Sequence, residues 1–350
     1  MSPFRQRTRS KQPADLFAKL VVCGVLLLTP FAQGQDATSS HAQGTALTEE
    51  LPNSFKLDVA LVNVDALVTD EDGKVLSGLK AENFRILDDG VPQTIESFAP
   101  TSAPITVVIL MEASGAAYGY FTAKGAEWAS GFLDHLDEKD WVALVTYDMR
   151  TTVRVDFTHQ RYKVRDALSA LGPTSFNEAN LYDALTETLE KLDGVKGRKS
   201  ILLLSTGNNS LSKATMDEVQ KQLRRTDAVL FCVGLAEAEF LRWGGTDSAY
   251  LQQKNALSSF ARQTGGIALF PRFEGELPSI FRTVVSFLRN EYTLTFRLPQ
   301  ERRDGRFHRL KVEVVGLDGK PLVVTNEKGK QRRIKVFARE GYTATTSQAQ

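Results

Sequence analysis

Five short apolar runs, separated by amphipathic stretches, constrain the fold of this chain more than any other feature of its sequence. A strand that is apolar on both faces is typical of a parallel sheet with helices covering both sides. The alternation of such runs with helical patterns therefore predicts an α/β core with a doubly wound, mostly parallel sheet. The runs, which lie between residues 105 and 270, are ITVVILM, WVALVTY, SILLLST, AVLFCVGL and GIALF.

The stretches between these runs repeat apolar residues at helical spacing, with one exception. Residues 153–158, VRVDFT, alternate apolar and polar side chains shortly after the second run, which predicts an antiparallel edge strand. The predicted helices cover residues 121–136, 162–171, 180–192, 214–225, 250–263 and 277–288.

Both flanks of this core change to the two-residue alternation that is typical of half-exposed strands. The stretch FKLDVALVNVDALVTD precedes the core and is followed by turn signals at residues 71–74 and 88–90. Each flank is too small to bury much apolar surface alone. We therefore expect the two flanks to pair as a β-sandwich-like module, with the core inserted between them. The strands predicted after the core are EYTLTFRL, HRLKVEVV, KPLVVTN and RRIKVFA.

The first 34 residues have the layout of a secretory signal peptide. Basic residues precede the apolar run LVVCGVLLLTPFA, which ends in small residues that favour cleavage. A membrane span needs ~20 apolar residues, so this run is short for one. Retention of the segment as an uncleaved anchor stays open. The sequence thus predicts a secreted or periplasmic protein of the cell envelope, with no membrane span in the mature chain.

These changes of pattern divide the chain into six predicted segments. Cys232 is the one cysteine after the signal segment, so the mature chain has no intrachain disulfide. A formal net charge of +1, without an extended basic block, argues against nucleic acid as a partner. The segments are a signal peptide (1–34), a flexible leader (35–53), an N-terminal β segment (54–103), the α/β domain (104–290), a C-terminal β segment (291–345) and a tail (346–350).

Polar side chains follow several of the apolar runs, at the edge where open α/β sheets bind ligands. Glu112 and Ser114 come directly after the first run. The sequence therefore places a carboxylate and a hydroxyl at the carboxyl end of a predicted strand. Four auxiliary candidates fall on or near loops at the same edge: Asp148, Glu178, Asn208 and Asn209.

Three stretches of the core carry a family resemblance. VVILMEASGA, NLYDAL and KSILLLSTGNNS are similar to the first strand and loop, a characteristic helix start, and a later strand and loop of von Willebrand factor A domains. The flanks resemble a narrower group, the secreted VWFA-related family of the Acidobacterial type. The resemblance covers residues 55–342 and implies a Rossmann-like vWA fold. The flanking blocks that carry it are VNVDALVTDEDGKVLSGLKAENFRILDDGVPQTIESF, EYTLTFRLP, DGRFHRLKVEV and AREGY.

The resemblance implies where a metal-ion-dependent adhesion site would lie. The family pattern is Asp-x-Ser-x-Ser after the first strand, a Thr on a second loop and an Asp on a third. Those positions are here Glu112, Ser114, Ala116, Ala179 and Thr206, so three of the five have lost the expected ligand. One carboxylate with hydroxyls is a weak donor set for Mg²⁺. We therefore expect a degenerate site without a metal, the alternative being a non-standard divalent ion at Glu112 and Ser114.

No catalytic motif accompanies these residues. The serine after the first run lies in EASGA, which lacks the Gly-x-Ser-x-Gly elbow of serine hydrolases. The four histidines form no HExxH or other paired metal motif, and no glycine-rich phosphate loop is present. We expect no enzymatic activity, and an unrecognised hydrolase is the least favoured hypothesis.

Together these patterns predict a secreted, non-enzymatic interaction or adhesion-type protein. We expect it to bind an unidentified protein partner, without a cofactor, through the loop edge that carries the degenerate metal-site positions. In the alternative hypothesis the protein is a structural component of an envelope assembly, and its β module makes the contacts. The oligomeric state stays open.

Overall fold

The computed structural model describes residues 60–71, 73–100, 103–117, 125–172, 176–235, 247–325 and 329–344. The predicted signal peptide, leader and tail lie outside the described residues, as does the beginning of the helix predicted over 121–136. The strands are β1 (Ala60–Asp70), β2 (Phe84–Asp88), β3 (Val91–Gln93), β4 (Ile95–Pro100), β5 (Ile105–Glu112), β6 (Trp141–Tyr147), β7 (Thr151–Thr158), β8 (Arg198–Ser205), β9 (Val229–Gly234), β10 (Ala268–Leu269), β11 (Tyr292–Leu298), β12 (Phe307–Val314), β13 (Val323–Thr325), β14 (Gln331–Ala338) and β15 (Gly341–Thr343).

Apart from the single turn α1, which the sequence did not predict, the described helices fall in the predicted amphipathic stretches, with ends that differ by a few residues. Within the described ranges, none has the length and apolar character that crossing a membrane requires. The helices are α1 (Gly115–Ala117), α2 (Gly125–Leu133), α3 (Arg161–Ser169), α4 (Leu181–Leu192), α5 (Met216–Leu223), α6 (Asp247–Thr264) and α7 (Leu277–Arg289).

Local chemistry explains two of the helix ends. At the start of α5, the side chain of Thr215 accepts from the Glu218 N–H at 3.3 Å, and Glu218 accepts from the Thr215 N–H at 2.7 Å. This reciprocal pair is a capping box. Helix α6 ends at Thr264, and the next residue, Gly265, has a φ of +88°, which favours glycine. A Cβ added at Gly265 would lie 2.7 Å from the backbone nitrogen of Arg339. The tight approach joins the end of α6 to the segment after β14.

A six-stranded sheet forms the centre of the α/β part, in the order β10-β9-β8-β5-β6-β7. Counted in chain order, this is the 3-2-1-4-5-6 arrangement of doubly wound sheets. Strands β5, β6, β8, β9 and β10 are parallel, whereas β7 pairs antiparallel with β6 at the edge. The sheet is therefore mixed, and the antiparallel edge strand predicted from VRVDFT is confirmed.

Side chains of β5 alternate between two apolar cores, one on each face of this sheet. Val107, Ile109 and Met111 pack with α2, α3 and α7, whereas Val108 and Leu110 pack with α4, α5 and α6. Every residue of β5 is buried. Coverage of both faces explains why the run is apolar throughout instead of alternating.

The two flanks combine in two further sheets, as the small size of each flank led us to expect. One sheet has the order β13-β14-β1-β11-β4, and the other has the order β15-β12-β2-β3. Each contains strands from both ends of the chain. Inward-facing residues such as Val64, Ile86, Phe296 and Val312 form a common core between the sheets. This sandwich-like pair of sheets is called the β module below.

The β module packs on the α/β part through the outer face of its five-stranded sheet. Leu67 of β1 and Phe337 of β14 join the core that contains α7. The rings of Phe287 and Phe337 lie 5.8 Å apart. Arg198, at the start of β8, forms an ion pair with Glu291, which precedes β11. Apolar packing and a buried ion pair thus both cross this junction.

Deletion of residues 54–103 tests the interdependence of the two flanks. It removes β1 and β4, which pair with β11 on either side, and so leaves apolar surface and backbone hydrogen-bonding groups of β11 without partners. We expect limited proteolysis to digest residues 291–345 in the truncated chain while the full chain protects them. A protected 291–345 fragment from the truncated chain would contradict the shared module.

Candidate functional site

Glu112 ends β5 at the centre of the six-stranded sheet, and its side chain is fully buried. Register places it beside Tyr147, the last residue of β6. On its other side β8 ends at Ser205, so three parallel strands deliver their last side chains to one point. A buried carboxylate without partners would be costly, so its environment decides what this site is.

Hydroxyl and amide groups surround both carboxylate oxygens of Glu112. Ser114 Oγ donates to Oε1 at 2.5 Å, and the backbone N–H of Thr206 donates to Oε2 at 2.7 Å. The Thr206 hydroxyl lies 3.0 and 2.9 Å from the two oxygens, and Ser205 Oγ lies 3.1 Å from Oε2. The Tyr147 hydroxyl donates to Ser205 Oγ at 2.7 Å and lies 3.4 Å from Oε2. The carboxylate is therefore satisfied from within the protein.

Burial dominates the electrostatics of this cluster. It raises the pKa of Glu112 because removal from water disfavours the charged form, and hydrogen bonds from Ser114 and Thr206 oppose the shift. Burial also raises the pKa of Tyr147, with the Glu112 charge acting in the same direction. The phenol therefore stays protonated and serves as a donor.

Backbone contacts hold the neighbouring loops against this cluster. The Gly115 N–H donates to the Phe176 carbonyl at 2.7 Å, and the Ser210 N–H donates to the Ala179 carbonyl at 2.9 Å. A Cβ at position 115 would clash with Asn177 Oδ1, so glycine permits the close approach. The loops after β5 and β8 are thus both joined to the segment that precedes α4.

Two of the auxiliary candidates, Asp148 and Asn209, take part in the same loop contacts. The Asp148 carboxylate accepts from the Arg150 N–H at 3.0 Å, and its carbonyl accepts from the Asn180 N–H at 2.8 Å. Asn209 Oδ1 accepts from the Tyr182 N–H at 3.1 Å, in the first turn of α4. Both side chains therefore shape the loops after β6 and β8.

The donor set does not fit the octahedral magnesium site of the family pattern. Ala116 and Ala179 carry no ligand atom, and Ala179 is fully buried where the pattern has a threonine. Thr206 provides a hydroxyl where the pattern has a second carboxylate, and both oxygens of Glu112 already accept protein hydrogen bonds. Magnesium prefers carboxylates, phosphates and waters arranged octahedrally, so an ion would have to displace this hydrogen bonding.

The structure separates the predicted site residues by exposure. Glu112, Ser114, Ala179 and Thr206 are buried beneath the loop edge, whereas Glu178 is exposed and Asp148, Asn208 and Asn209 are half-buried. A partner at this edge would therefore meet the auxiliary residues before the central four. Three large apolar side chains on the same loops are also exposed: Met149 (40%), Phe176 (49%) and Leu211 (46%).

Sequence reasoning missed Tyr147 and Ser205 as members of the cluster. Each carries a hydroxyl at the carboxyl end of an apolar run, and both runs form strands that pair with β5. That position was the available signal, since parallel strands bring their carboxyl ends together. Which of the neighbouring runs flank β5 depends on the strand order, which the sequence pattern alone leaves open.

A second polar cluster lies in the β module and is also new. Asp88, Asp89 and His308 place ligand atoms within 4.8 Å of one another. The Arg302 guanidinium forms ion pairs with both carboxylates, so a cation already fills this space. His308 places its ring nitrogens 2.8 Å from Asp89 and 3.1 Å from Asp304. Although burial lowers the pKa of His308, these carboxylates raise it overall, and the cluster is an ion-pair network.

This chain is similar to several solved structures at low sequence identity. The von Willebrand factor type A protein from Catenulispora acidiphila is 11% identical, with a TM-score of 0.43, and the match covers 83% of this chain and 76% of that chain. The vWF domain of the type V pili tip protein Mfa5 from Porphyromonas gingivalis is 13% identical, with a TM-score of 0.40, over 53% of this chain and 95% of that one. No family model and no curated protein matches the sequence.

The strand order described above agrees with the fold predicted from the sequence. Five parallel strands in doubly wound order, an antiparallel edge strand and a polar cluster at the central strand end are consistent with a von Willebrand factor A-like fold. The conserved hypothetical protein BatB from Bacteroides thetaiotaomicron is also similar to this chain, at 14% identity and a TM-score of 0.39, over 53% of this chain and 100% of that chain. Identities and TM-scores this low assign neither family nor function to this chain, and the narrower Acidobacterial-type assignment stays a prediction.

Substitution of Glu112 tests the hydrogen-bonded cluster. Glu112→Ala leaves the Thr206 amide and several hydroxyls buried without their acceptor, and each such loss costs about 1–3 kcal/mol. We expect urea denaturation to show a free energy of unfolding lower by about 3 kcal/mol or more. Glu112→Gln retains an acceptor for the Thr206 amide, so the free energy of unfolding of this variant at pH 7 should be lower by only about 1 kcal/mol or less. Equal losses in the two variants would contradict the assigned contacts.

The same pair of proteins tests the charge of the buried carboxyl. Because the pKa of Glu112 is raised in the folded state, that state binds the proton more tightly than the unfolded chain does. The contribution of Glu112 to the free energy of unfolding is therefore largest when its carboxyl is protonated. It falls as the pH rises through the pKa that Glu112 has in the folded state. As the pH is lowered from neutral toward the ordinary pKa of a glutamate carboxyl, the wild type should gain stability relative to Glu112→Gln, which has no titrating group at this position. A constant difference would contradict the raised pKa.

Proposed function

We propose that this chain is a secreted, non-enzymatic interaction protein of the adhesion type, which binds a protein partner at the loop edge without a metal ion. The observation that carries the proposal is the enclosure of Glu112 by Ser114, Ser205, Thr206 and Tyr147. Internal donors occupy the carboxylate that a metal would need. On this proposal, the site is a degenerate adhesion site in which hydrogen bonds to Glu112 take the place of the metal ion.

Exposed groups on the surrounding loops support the binding role. Met149 lies on the loop after β6, Phe176 on the segment before α4 and Leu211 on the loop after β8. Backbone hydrogen bonds around the buried cluster hold these loops in place. Exposed apolar side chains with polar neighbours such as Glu178 are typical of protein-binding surfaces. A fixed loop edge also reduces the entropy lost on binding.

The environment of Ser114 supports a non-enzymatic role. Its hydroxyl donates to Glu112, and no described histidine contacts it. A serine nucleophile needs an adjacent general base that is itself oriented, and it must be reachable by substrate. Ser114 is fully buried instead. The sequence pattern of residues 1–34 supports export to the periplasm, the cell surface or the medium.

A second candidate function is a structural role in an envelope assembly. Its supporting observation is a set of exposed apolar residues on the β module, namely Leu61 (54%), Leu317 (89%) and Val323 (48%). In that case the β module binds the neighbouring component and the α/β part acts as a spacer. The two candidates therefore predict different contact surfaces on the same chain.

Metal independence is tested by calorimetric titration of the full chain with Mg²⁺, Mn²⁺ and Ca²⁺. We expect no saturable binding below millimolar concentration, because the carboxylate of Glu112 is already hydrogen-bonded and a second acid is missing. Melting temperatures with and without chelator should agree. A saturable site that Glu112→Gln abolishes would overturn metal independence and favour the non-standard site at Glu112 and Ser114.

The contact surface is tested by capture of partners from the native envelope with two matched triple variants. In the first, Met149, Phe176 and Leu211 are each replaced by Ser; in the second, Leu61, Leu317 and Val323 are replaced in the same way. All six side chains are exposed, so both variants should fold, which circular dichroism would check.

We expect the first variant to lose the captured partner by tenfold or more and the second to retain it, with and without chelator. Truncation of a few central, well-packed side chains removes most of the binding energy of a typical interface, and a loss of about 1.4 kcal/mol is already tenfold in affinity. Loss of the partner only in the second variant would favour the envelope-assembly role. Loss only in the presence of chelator would contradict metal-independent binding.

A further inference from the structure

A cavity of about 400 Å³ lies within the β module, where the ends of β12 and β13 meet β14. Residues of both sheets line it, since β12 belongs to the four-stranded sheet and β13 and β14 belong to the five-stranded sheet. Its volume falls within the range of ligand pockets, about 300–1,000 Å³. None of its lining residues belongs to the Glu112 cluster or to the loop edge, so it is a separate candidate site.

Apolar side chains form most of the cavity wall. Val314 and Val315 line it at the end of β12, and Leu322, Ile334 and Val336 line it from the opposite sheet. The first two are buried, whereas the other three are only half-buried, although they pack against the core of the β module. These core-facing residues therefore leave apolar surface uncovered inside the cavity.

A hydrogen-bonded turn after β12 forms one side of the cavity. The Gly316 N–H donates to the Lys320 carbonyl at 2.8 Å, and the Gly319 N–H donates to the Gly316 carbonyl at 2.9 Å. Arg85 of β2 donates to the Gly319 carbonyl at 3.3 Å and so joins the turn to the sheet. Asp318 and Lys320 form an ion pair at 3.9 Å, so the turn adds no net charge. Because the wall is already ordered, a ligand loses less free energy in organising it.

The charged groups beside the apolar wall are mainly basic. Arg333 lines the cavity, is exposed, and forms no ion pair with another residue that the structure describes. Arg85 and Lys311 share the carboxylate of Glu313, at nitrogen–oxygen distances of 3.6 and 2.7 Å. One acid thus serves three basic side chains. The excess positive charge attracts an anionic group to the same place where apolar surface is uncovered.

We propose that this cavity binds a fatty acid, with the alkyl chain against the apolar wall and the carboxylate on Arg333. The chain covers the uncovered surfaces of Leu322, Ile334 and Val336, and burial of apolar area is the main driving force of such binding. Guanidinium groups bind carboxylates through charge-assisted, frequently bidentate hydrogen bonds. The site lies in the β module, so it does not depend on partner binding at the loop edge.

Other small ligands satisfy only part of this arrangement. A short carboxylate pairs with Arg333 but leaves the apolar wall uncovered. A neutral alkyl chain covers the wall but leaves the guanidinium without a partner, and a cationic amphiphile is repelled by the basic side chains. Chain length and head-group charge are therefore the two properties of the ligand that a binding experiment must vary.

The proposal is tested by calorimetric titration of the full chain with butyrate, octanoate, decanoate and dodecanoate, each below its micelle concentration. We expect saturable binding of the longer chains, with affinity rising about fourfold for each added CH₂ until the cavity is filled. Decanol and decyltrimethylammonium, the head-group controls, should bind at least tenfold more weakly than decanoate. Absence of saturable binding would overturn the proposal, as would an affinity independent of chain length or of head-group charge.

A membrane-docking surface with the same chemistry is distinguished by vesicles of phosphatidylglycerol. We expect the full chain not to sediment with them, because the proposed ligand is a single chain enclosed between the two sheets. Sedimentation with the vesicles that Arg333→Gln abolishes would assign the basic residues to a lipid surface and overturn the fatty-acid site.

Variants locate the site. Arg333→Gln changes an exposed side chain and so should fold, and we expect it to weaken decanoate binding by about tenfold or more. Lys335→Gln removes a positive charge from the same strand but outside the cavity lining, so it is the matched control and should leave affinity unchanged. Val336→Phe fills part of the cavity and should weaken dodecanoate more than octanoate, with folding checked by circular dichroism. Equal affinities of Arg333→Gln and Lys335→Gln would overturn the assignment.

Discussion

The satisfaction of one buried carboxylate, that of Glu112, is the constraint on which the candidate recognition edge depends. The strand register brings Tyr147 and Ser205 to the same depth as Glu112, and the loop after β8 folds back so that Thr206 donates through both its amide and its hydroxyl. A buried charge requires such partners. The hydrogen bonds that satisfy Glu112 therefore also fix how the loops leave the sheet.

On our proposal, hydrogen bonds in this arrangement take the place of the metal ion of an adhesion site. A divalent ion joins loops because several of them supply its ligands. Here hydroxyl and amide donors join the loops around one carboxylate, and backbone contacts between Gly115 and Phe176 and between Ser210 and Ala179 complete the connection. On our proposal the partner binds to exposed side chains on those loops, and the cluster beneath them acts as the scaffold.

The junction with the β module shows a different balance of forces. Leu67 and Phe337 contribute apolar packing to the α/β core, and the ion pair of Arg198 with Glu291 lies close beside them. Directly after the paired residues Ala66 and Ala338, the register brings Asp65 beside Arg339, and the Asp65 charge opposes the lowering of the Arg339 pKa by burial. Opposite charges therefore lie together at this junction in addition to the apolar contacts.

The sequence alone determined the kinds of elements and their places in the chain. Apolar runs with both faces covered, helical periodicity between them and two-residue alternation in the flanks are local patterns, and they were sufficient to predict the α/β core and the pairing of the flanks. The resemblance to the family pattern also predicted that metal ligands are missing at Ala116, Ala179 and Thr206. Tertiary structure decided which strands flank β5, and hence that Tyr147 and Ser205 join Glu112. It also decided that the central residues are buried, because contacts between residues distant in the chain depend on strand order and packing rather than on local pattern.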